Sequence, residues 1–322
     1  MSIAYQPPFT ISSDIVSLVA EISEVLGRLS VLPEASPSVR LRRVNRIRSI
    51  QGSLAIEGNT LSESQITAIL EGKRVLAPPR EIQEARNAFL AYERLGTWSP
   101  HSQADMLAAH AVMMTGLLDH AGSFRTGGVG IMKGLDFVHL APPAERVPAL
   151  MKDLLSWLKG SKDHPLIASS VFHYEFEFIH PFADGNGRMG RLWQTLLLSR
   201  WNPLLTYIPV ETLVYKHQAE YYAALNQSGE RADSGPFIEF MLRMIRDAIV
   251  ESAAVSEKKP EKTSEKILRL ISENPQVTIA ELARLTKLTP RSIERNIQSL
   301  QAQGSLRRIG PDKGGHWEII RR

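Results

Sequence analysis

The stretch IHPFADGNGRMGRLW, Ile179–Trp193, joins two apolar segments through a short polar loop. Apolar residues recur at helical spacing over 166–180, and Pro181 cannot continue a helix, so the first segment is predicted to end at His180. Residues 187–199, GRMGRLWQTLLLS, predict a second helix. The sequence therefore predicts two helices that meet at a tight loop carrying a histidine, an aspartate and two arginines.

The start of the second predicted helix has the features of an anion-binding site. A helix N-terminus presents unpaired N–H groups and the positive end of the helix dipole. Gly185 and Gly187 allow neighbouring amides to form a nest for phosphate oxygens. Arg188 and Arg191 lie three residues apart on one helix face, where both side chains can clamp a polyphosphate.

Two more side chains of the loop suit chemistry on a bound phosphate. Asp184 offers the kind of oxygen ligand that Mg²⁺ takes together with substrate phosphates. His180 is the natural general base, because histidine exchanges protons near neutral pH. An anion cradle, a cation ligand and a base together indicate phosphoryl or nucleotidyl transfer. The alternative is a polar loop between helices, with a histidine at a helix end and arginines at the surface.

Residues 180–191, HPFADGNGRMGR, fill every defining position of the signature of the Fic family, His-Pro-Phe-x-x-Gly-Asn-Gly-Arg-x-x-Arg. Residues 122–158 are similar to the flap hairpin of that family and to the helix that follows it. The resemblance covers roughly residues 40–245. It implies a helical fold whose enzymes typically transfer AMP from ATP to a protein hydroxyl.

The resemblance assigns a role to each polar position of the loop. It implies that His180 takes the proton of a Ser, Thr or Tyr hydroxyl, and that Asp184 holds Mg²⁺ on the α- and β-phosphates. Asn186 would bind phosphate oxygens with the two glycine amides beside it. Arg188 would neutralise the leaving pyrophosphate, and Arg191 would reach the γ-phosphate.

The resemblance also implies contacts with the rest of the nucleotide and with the target protein. The flap residues implied to lie along the nucleotide and to align the target backbone by strand addition are Ile131, Met132, Lys133 and Gly134. Tyr221 and Tyr222 resemble family positions near the adenine, with plain helix packing as the alternative. The asparagine that some members carry further along is not evident, and Gly229 stands about where it would fall.

A second motif lies upstream, in residues 46–62, RIRSIQGSLAIEGNTLS. Ser53 and Glu57 are four apart and share a helix face, and Gly58 suits a helix end. The alternative reading is an exposed glutamate in a last helical turn. Ser-x-x-x-Glu-Gly resembles the inhibitory helix motif of Fic proteins, which implies that Glu57 pairs with Arg191 and keeps ATP in an unproductive pose. In some members the same glutamate supports removal of AMP.

Composition indicates a two-domain protein with an uneven charge. The 322 residues are 43% hydrophobic and 22% charged, and they include no cysteine, which excludes disulfides and thiolate metal sites. No apolar run approaches a membrane span and no signal peptide is evident, so the cytoplasm is the expected location. From Val255 onward, 14 Lys and Arg stand against 8 Asp and Glu, and this excess indicates an anionic partner for the tail.

The tail contains three short helical patterns. Thr278 and Glu281 fit a capping box, Thr289 and Pro290 fit the start of a third helix, and Gly304 fits its end. A Gly-rich two-stranded ribbon follows, and this order of elements is similar to the winged helix-turn-helix family over about 60 residues. The candidate DNA contacts are Arg291, Ser292, Arg295, Arg307 and Arg308. A protein-binding or dimerising winged helix is the alternative.

The predicted protein is mainly α: a Fic-type helical core with a β-hairpin flap, plus a small C-terminal winged-helix (α+β) domain. The predicted divisions are an N-terminal helical region with the inhibitory motif, the catalytic core, a linker and the winged helix-turn-helix domain, at 1–105, 106–252, 253–265 and 266–322.

The predicted function is protein adenylyltransfer, with ATP as substrate, Mg²⁺ as cofactor and a hydroxyl-bearing protein, which includes the chain itself, as acceptor. A homodimer is implied by the family. A function of another class is a DNA-binding regulator whose Fic core senses nucleotide or removes AMP. Relatives of this fold also transfer phosphate or phosphocholine, so another donor stays open.

Overall fold

The computed structural model describes residues 5–30, 39–128, 130–133, 136–257, 263–311 and 314–320. The helices are α1 (Ser13–Ser30), α2 (Val39–Ile56), α3 (Glu63–Leu70), α4 (Pro79–Glu93), α5 (Gln103–Met114), α6 (Val147–Gly160), α7 (Pro165–Ile179), α8 (Asn186–Trp201), α9 (Val210–Lys216), α10 (Gln218–Arg231), α11 (Gly235–Glu257), α12 (Thr263–Glu273), α13 (Ile279–Thr286) and α14 (Pro290–Ala302). The strands are β1 (Gly130–Lys133), β2 (Asp136–Leu140), β3 (Leu306–Ile309) and β4 (His316–Ile319). The predicted fold class is confirmed.

The chain divides into two compact units, Met1–Ala253 and Ala254–Arg322. Each unit has its own apolar core. The finer division of the first unit into an inhibitory region and a catalytic core stays a prediction. In the part of the chain that the structure describes, every helix is too short or too polar to cross a membrane. The cytoplasmic location stays a prediction from the sequence.

Helix α7 runs through the middle of the first unit and packs along α8. It begins at Pro165, where the Nδ1 atom of His164 accepts a hydrogen bond from the Leu166 N–H at 3.3 Å. Nearly every residue of α7 is buried, and Phe178, 40% exposed, is the exception among its large apolar side chains. A helix buried on all faces is held by its neighbours, so its C-terminal end offers a rigid support for the loop that follows.

The loop between α7 and α8 turns sharply at two left-handed residues. His180 has a φ of 49° and lies directly before Pro181, which blocks continuation of the helix. Gly185 has a φ of 86°, and a Cβ atom there would lie 2.7 Å from the Met114 sulfur, so both backbone and space require glycine. The next residue, Asn186, begins α8.

The C-terminal unit consists of α12, α13 and α14 followed by the antiparallel ribbon of β3 and β4. The capping box of Thr278 and Glu281 is present, and Thr289 caps α14 ahead of Pro290. Trp317 fixes the ribbon to the segment between α12 and α13, because its indole N–H donates to the Val277 carbonyl at 3.1 Å. The predicted winged helix is confirmed.

Helix α2 lies against α9 at unusually short range. A Cβ atom on Gly52 would lie 2.6 Å from the main-chain carbon of Glu211. The Thr212 hydroxyl donates to a carbonyl of α2 at 3.1 Å, and the Gln218 side chain donates to the Ile56 carbonyl at its C-terminal end at 2.8 Å. These contacts hold α2 at a fixed distance from α9. Helix α2 carries Ser53 of the predicted inhibitory motif and ends directly before Glu57.

We expect Gly52→Ala to lower the free energy of unfolding of the first unit by about 1–3 kcal/mol, since the new methyl group must push α2 away from α9. The control is Gly27→Ala in the exposed face of α1, where no described atom lies within 4 Å. This change should raise stability by roughly 0.5–1 kcal/mol. Urea denaturation measures the free energy of unfolding of both variants. An equal change in Gly52→Ala and Gly27→Ala would contradict the close packing of α2 on α9.

Candidate functional site

His180 lies where α7 ends, with its side chain 18% exposed. Its Nδ1 atom is 3.4 Å from the main-chain oxygen of Glu177 and 3.9 Å from a carboxyl oxygen of the same residue. A proton on Nδ1, donated to that oxygen, leaves Nε2 unprotonated. That tautomer is the one a general base at Nε2 requires.

Arg125 holds the main chain around the histidine, and nothing in the sequence distinguished it. This arginine is 5% exposed. Its Nε atom donates to the His180 carbonyl at 2.7 Å and Nη2 donates to the Ile179 carbonyl at 3.3 Å. The same guanidinium donates to the carbonyls of Gly127 and Pro142, which flank the hairpin of β1 and β2. Five N–H donors in one plane allow a single side chain to reach all four carbonyls.

His110 is a second residue that sequence reasoning missed. Its ring stacks on Phe182 with centroids 3.7 Å apart, and its Nε2 atom lies 3.0 Å from the Asp184 carbonyl. The Gly122 N–H donates to Nδ1 at 2.8 Å, so the proton is on Nε2 and the Asp184 carbonyl accepts it. Burial lowers the pKa of His110 below its ordinary value, which keeps the ring neutral in this role.

Asp184 is the centre of a charged cluster at the mouth of the loop. Its Oδ1 atom accepts from the Gly185 N–H at 2.6 Å and from Arg188 Nη2 at 3.0 Å, while Oδ2 accepts from Arg80 Nη2 at 2.8 Å. Arg188, 3% exposed at its side chain, also lies 3.4 Å from a carboxylate oxygen of Glu84. The two arginines therefore occupy both oxygens of the carboxylate predicted to hold Mg²⁺.

The donor chemistry of Asp184 fits a magnesium ion that is bound together with a nucleotide. Its side chain is 39% exposed, so a cation with its own hydration can reach it. No group of three or more His, Asp or Glu side chains that could hold a metal occurs among the described residues. Mg²⁺ commonly binds through one or two carboxylates and substrate phosphates, so a single carboxylate suffices when phosphate oxygens complete the shell.

Asn186 uses its side chain to shape the loop. Its Oδ1 atom accepts from the Phe182 N–H at 2.9 Å, and its Nδ2 atom donates to the Phe182 carbonyl at 2.8 Å. The first bond within the helix at this end is donated by the Met189 N–H to the Gly185 carbonyl. The preceding amide groups at the helix start are those with no helical partner. A phosphate role for Asn186 would therefore fall to its main-chain N–H.

Arg191 joins α8 to α2 inside the first unit. Its side chain is 2% exposed, and Nη2 lies 2.6 Å from a carboxylate oxygen of Glu57. Nε donates to the Ser53 hydroxyl and Nη2 to the Ser53 carbonyl, both at 3.0 Å. Nη1 is buried without a hydrogen-bond partner among the described residues. Burial, the largest single influence, lowers the pKa of Arg191, but the interactions with Glu57, Tyr221 and Glu177 together outweigh it, and the pKa rises above its ordinary value.

Gly187, in the first turn of α8, faces the same carboxylate. A Cβ atom at this position would overlap Glu57 Oε1 and would lie 3.0 Å from Arg191 Nη1. The glycine thus leaves room for a negatively charged group beside the guanidinium. In this structure the group is Glu57, which directly follows α2.

Glu177 is a buried carboxylic acid beneath the loop. Burial raises its pKa to about 8, although the Arg191 charge opposes this rise. His173, 3.8 Å away, is fully buried, and burial lowers its pKa to about 3. Both groups are neutral at pH 7, so this short distance is not an ion pair. The Oε1 atom of Glu177 has no hydrogen-bond partner among the described residues.

The two tyrosines predicted near the adenine differ in environment. Tyr221 is 2% exposed; its ring centroid lies 5.7 Å from that of Phe237, and its hydroxyl lies 3.3 Å from His173 Nε2. These contacts favour the packing alternative for Tyr221. Tyr222 is half-buried and contacts Tyr221 edge-on at 5.4 Å. A role for either ring at the adenine stays a prediction.

The flap residues Ile131, Met132 and Lys133 lie in β1, and Gly134 lies outside the described residues. Strand β1 pairs with β2 in an antiparallel register that is irregular between Ile131 and Met132. A two-stranded sheet leaves an outer edge on each strand, and such an edge can accept a third strand.

The candidate DNA contacts of the C-terminal unit fall into two groups. Arg291 and Arg295 are exposed on α14, with Ser292 partly exposed beside them. In the ribbon, Arg307 pairs with Glu318 at 2.6 Å and Arg308 lies over the Trp317 ring at 4.8 Å. The ribbon arginines therefore already have partners within the unit.

Comparison with known protein families gives two matches. The Fic/DOC family matches residues 100–198, which include the loop, the flap and Arg125. A family described as winged helix-turn-helix DNA-binding matches residues 260–305.

Individual relatives agree with these matches. A crystal structure of a Fic family protein from Desulfovibrio desulfuricans G20 is 48% identical, with 99% of each chain covered and a TM-score of 0.80. Protein adenylyltransferase fic-1 of Caenorhabditis briggsae is 30% identical over 240 residues, 70% of this chain and 45% of that protein. Protein adenylyltransferase Fic of Nematostella vectensis is 29% identical over 260 residues. The chain thus spans about half the length of the curated relatives it matches.

The neutral carboxyl of Glu177 predicts a pH-dependent stability. The group ionises near pH 4.5 in the unfolded chain but only at about pH 8 in the fold. Its contribution to the free energy of unfolding is therefore complete below pH 4.5 and is lost as the pH rises through 8. We expect the free energy of unfolding of the wild type, relative to Glu177→Gln, to fall over this interval and then level off. Urea denaturation from pH 4.5 to 9 measures it.

The exposed substitution Glu93→Gln serves as the control for that series. Its stability should follow the wild type at every pH. If the free energies of unfolding of wild type and Glu177→Gln changed in parallel with pH, Glu177 would be ionised in the fold despite its burial, and the prediction would be wrong.

Proposed function

This chain belongs to the Fic family, and on that premise we propose that it is a protein adenylyltransferase that moves AMP from ATP to a Ser, Thr or Tyr hydroxyl. The observation that carries this proposal is the complete loop at the start of α8. His180 stands at one edge, Asp184 at the mouth, and the side chains of Arg188 and Arg191 are almost fully buried on the helix behind them. A general base, a cation ligand and two fixed positive charges are what this transfer requires.

In the proposed reaction, the target hydroxyl oxygen attacks the α-phosphorus and the bond to the β-phosphate oxygen breaks, so that pyrophosphate leaves. His180 removes the hydroxyl proton as the new P–O bond forms. The protein contributes mainly positioning and charge stabilisation, because little other covalent chemistry is needed at phosphorus. The rigid end of α7 and the bonds from Arg125 to the main chain keep the imidazole in place.

The phosphates would be held by the start of α8. Its unpaired main-chain N–H groups and Arg188 face the charge that develops on the leaving pyrophosphate. A magnesium ion, when bound by Asp184, neutralises phosphate charge. Arg80 donates to Asp184 Oδ2 at 2.8 Å in this structure, so we propose that the arginine releases this oxygen when nucleotide and metal bind.

We propose further that Glu57 inhibits the transfer through Arg191. Its carboxylate lies 2.6 Å from the guanidinium that would otherwise hold the γ-phosphate. Two anionic groups in this place repel each other, so bound ATP would be displaced from the pose required for attack. Removal of AMP with help from the Glu57 carboxylate stays an alternative function from the family resemblance.

For the C-terminal unit we propose binding to DNA. Support comes from the family match and from Arg291 and Arg295 on the exposed face of α14, the helix that would enter the major groove. A DNA-binding regulator whose first unit only senses nucleotide is the competing function. Homodimer formation and the identity of the target protein stay predictions from the family.

We expect Glu57→Gly to raise AMP transfer on the order of 10- to 100-fold, the range of a typical regulatory coupling. Removing the carboxylate leaves Arg191 available to the γ-phosphate. The measurement is the intact mass of the full chain after incubation with ATP and Mg²⁺, in which self-modification appears as the mass of one AMP.

The controls for this experiment are His180→Ala in both backgrounds, which should abolish the gain in mass. A gain equal to phosphate or phosphocholine from another donor would replace the AMP assignment. No gain in wild type or in Glu57→Gly, with a cell lysate added as a source of targets, would favour the nucleotide-sensing regulator.

For the winged helix, we expect DNA affinity of the full chain to fall steeply with salt, and the slope of log affinity against log salt to shrink by about 1 for each arginine that contacts phosphate. Arg291→Ala and Arg295→Ala should reduce this slope. Arg307→Ala, which removes a side chain paired with Glu318, should change it less. Absence of DNA binding at low salt would leave the protein-binding alternative.

A further inference from the structure

Arg125 joins two parts of the candidate site that are distant along the chain. On one side, its main-chain N–H donates to the Pro181 carbonyl at 2.9 Å and its Nε to the His180 carbonyl at 2.7 Å. On the other side, Nη1 donates to the Gly127 carbonyl at 2.9 Å and Nη2 to the Pro142 carbonyl at 2.5 Å. A single planar guanidinium therefore fixes the turn at the catalytic base and both ends of the hairpin to each other.

The carbonyl groups that accept hydrogen bonds from Arg125 lie where the main chain leaves the hydrogen-bonding pattern of a helix or a sheet. His180 is left-handed, with a φ of 49°, so the chain leaves the helical path there. Such carbonyls need another donor when buried. Bonds from a charged donor are stronger than those between neutral groups, and the arginine is 5% exposed, so water competes little.

We propose that Arg125 is a positioning residue: it sets the distance and direction between the flap and His180, so that a target chain paired with the flap edge presents its hydroxyl to the imidazole. This inference rests on the proposed function, since it concerns the acceptor of the transfer. In the proposed function the nucleotide phosphates bind at the start of α8, and Arg125 makes none of these hydrogen bonds to that segment. Loss of the Arg125 guanidinium should therefore reduce the rate of transfer much more than the affinity for ATP.

The test uses Arg125→Lys, which keeps the positive charge and three donors but cannot span four carbonyls. The matched control is Arg200→Lys. Arg200 also donates to two main-chain carbonyls, those of Gly96 and Trp98 at 2.9 and 2.8 Å, at the far end of α8. Both variants are made in the full chain.

Hydrogen–deuterium exchange gives a readout that needs no activity. We expect Arg125→Lys to speed exchange of the flap amides in 130–133 and 136–140 and of the Phe182 amide, while α7 and α8 keep wild-type protection. Unchanged flap exchange overturns the proposal. Loss of protection throughout the first unit, or the same pattern in Arg200→Lys, also overturns it, because either result shows a role in general stability alone.

The rate measurement is made in the Glu57→Gly background, by the mass of AMP added to the chain. We expect Arg125→Lys to lower kcat about 100-fold, the cost of a misplacement near 1 Å, with little change in the KM for ATP. Arg200→Lys should match the parent. An unchanged kcat, or a change confined to KM, overturns the positioning role while the proposed function stands. If Glu57→Gly itself adds no AMP, the proposed function fails, and the exchange result alone decides whether Arg125 fixes the flap.

Discussion

The first unit is organised around a guanidinium that has almost no access to water. Arg191 is 2% exposed, and a charge in that position must be balanced by an opposite charge and by acceptors for its N–H groups. Ser53 in α2 and Glu57 directly after it provide these. Breaking a fully buried pair typically costs about 3–5 kcal/mol, but the Glu57 side chain is 37% exposed, so water screens the charge and the cost is smaller.

Neutral contacts, in contrast, shape the part of the loop from Phe182 to Asn186. Asn186 bonds twice to the Phe182 backbone, and His110 stacks on the Phe182 ring while its Nε2–H bonds the Asp184 carbonyl. None of these bonds depends on a charge that a nucleotide would bring or remove. The charged side chains at the mouth, Asp184 and Arg188, can therefore change partners on ligand binding while the backbone that carries them stays fixed.

Sequence reasoning reached the helix break at Pro181 and the capping of α13, because both follow from local rules on dihedral angles and hydrogen bonds. It reached the fold class from helical periodicity together with the family resemblance. The roles predicted for the residues of the loop came from the Fic signature, whose residues are close together in the sequence. Arg125 and His110 were missed because their partners lie 55 and 74 residues away, and no local spacing reveals such contacts. The same limit applies to Tyr221, whose hydroxyl lies beside His173, 48 residues earlier in the chain.

The double attachment of Arg191 to Ser53 bears on how the proposed inhibition by Glu57 would be released. Two of its bonds go to Ser53, and α2 is held independently by the close approach of Gly52 to α9. Loss of the Glu57 contact thus leaves the helix docked and the guanidinium aimed at the same space. A partly exposed side chain changes rotamer in picoseconds to nanoseconds, whereas undocking a helix takes microseconds or longer. Under the proposed inhibition, Glu57 would therefore release Arg191 by a side-chain rotation alone, and the slower undocking of α2 would not be needed.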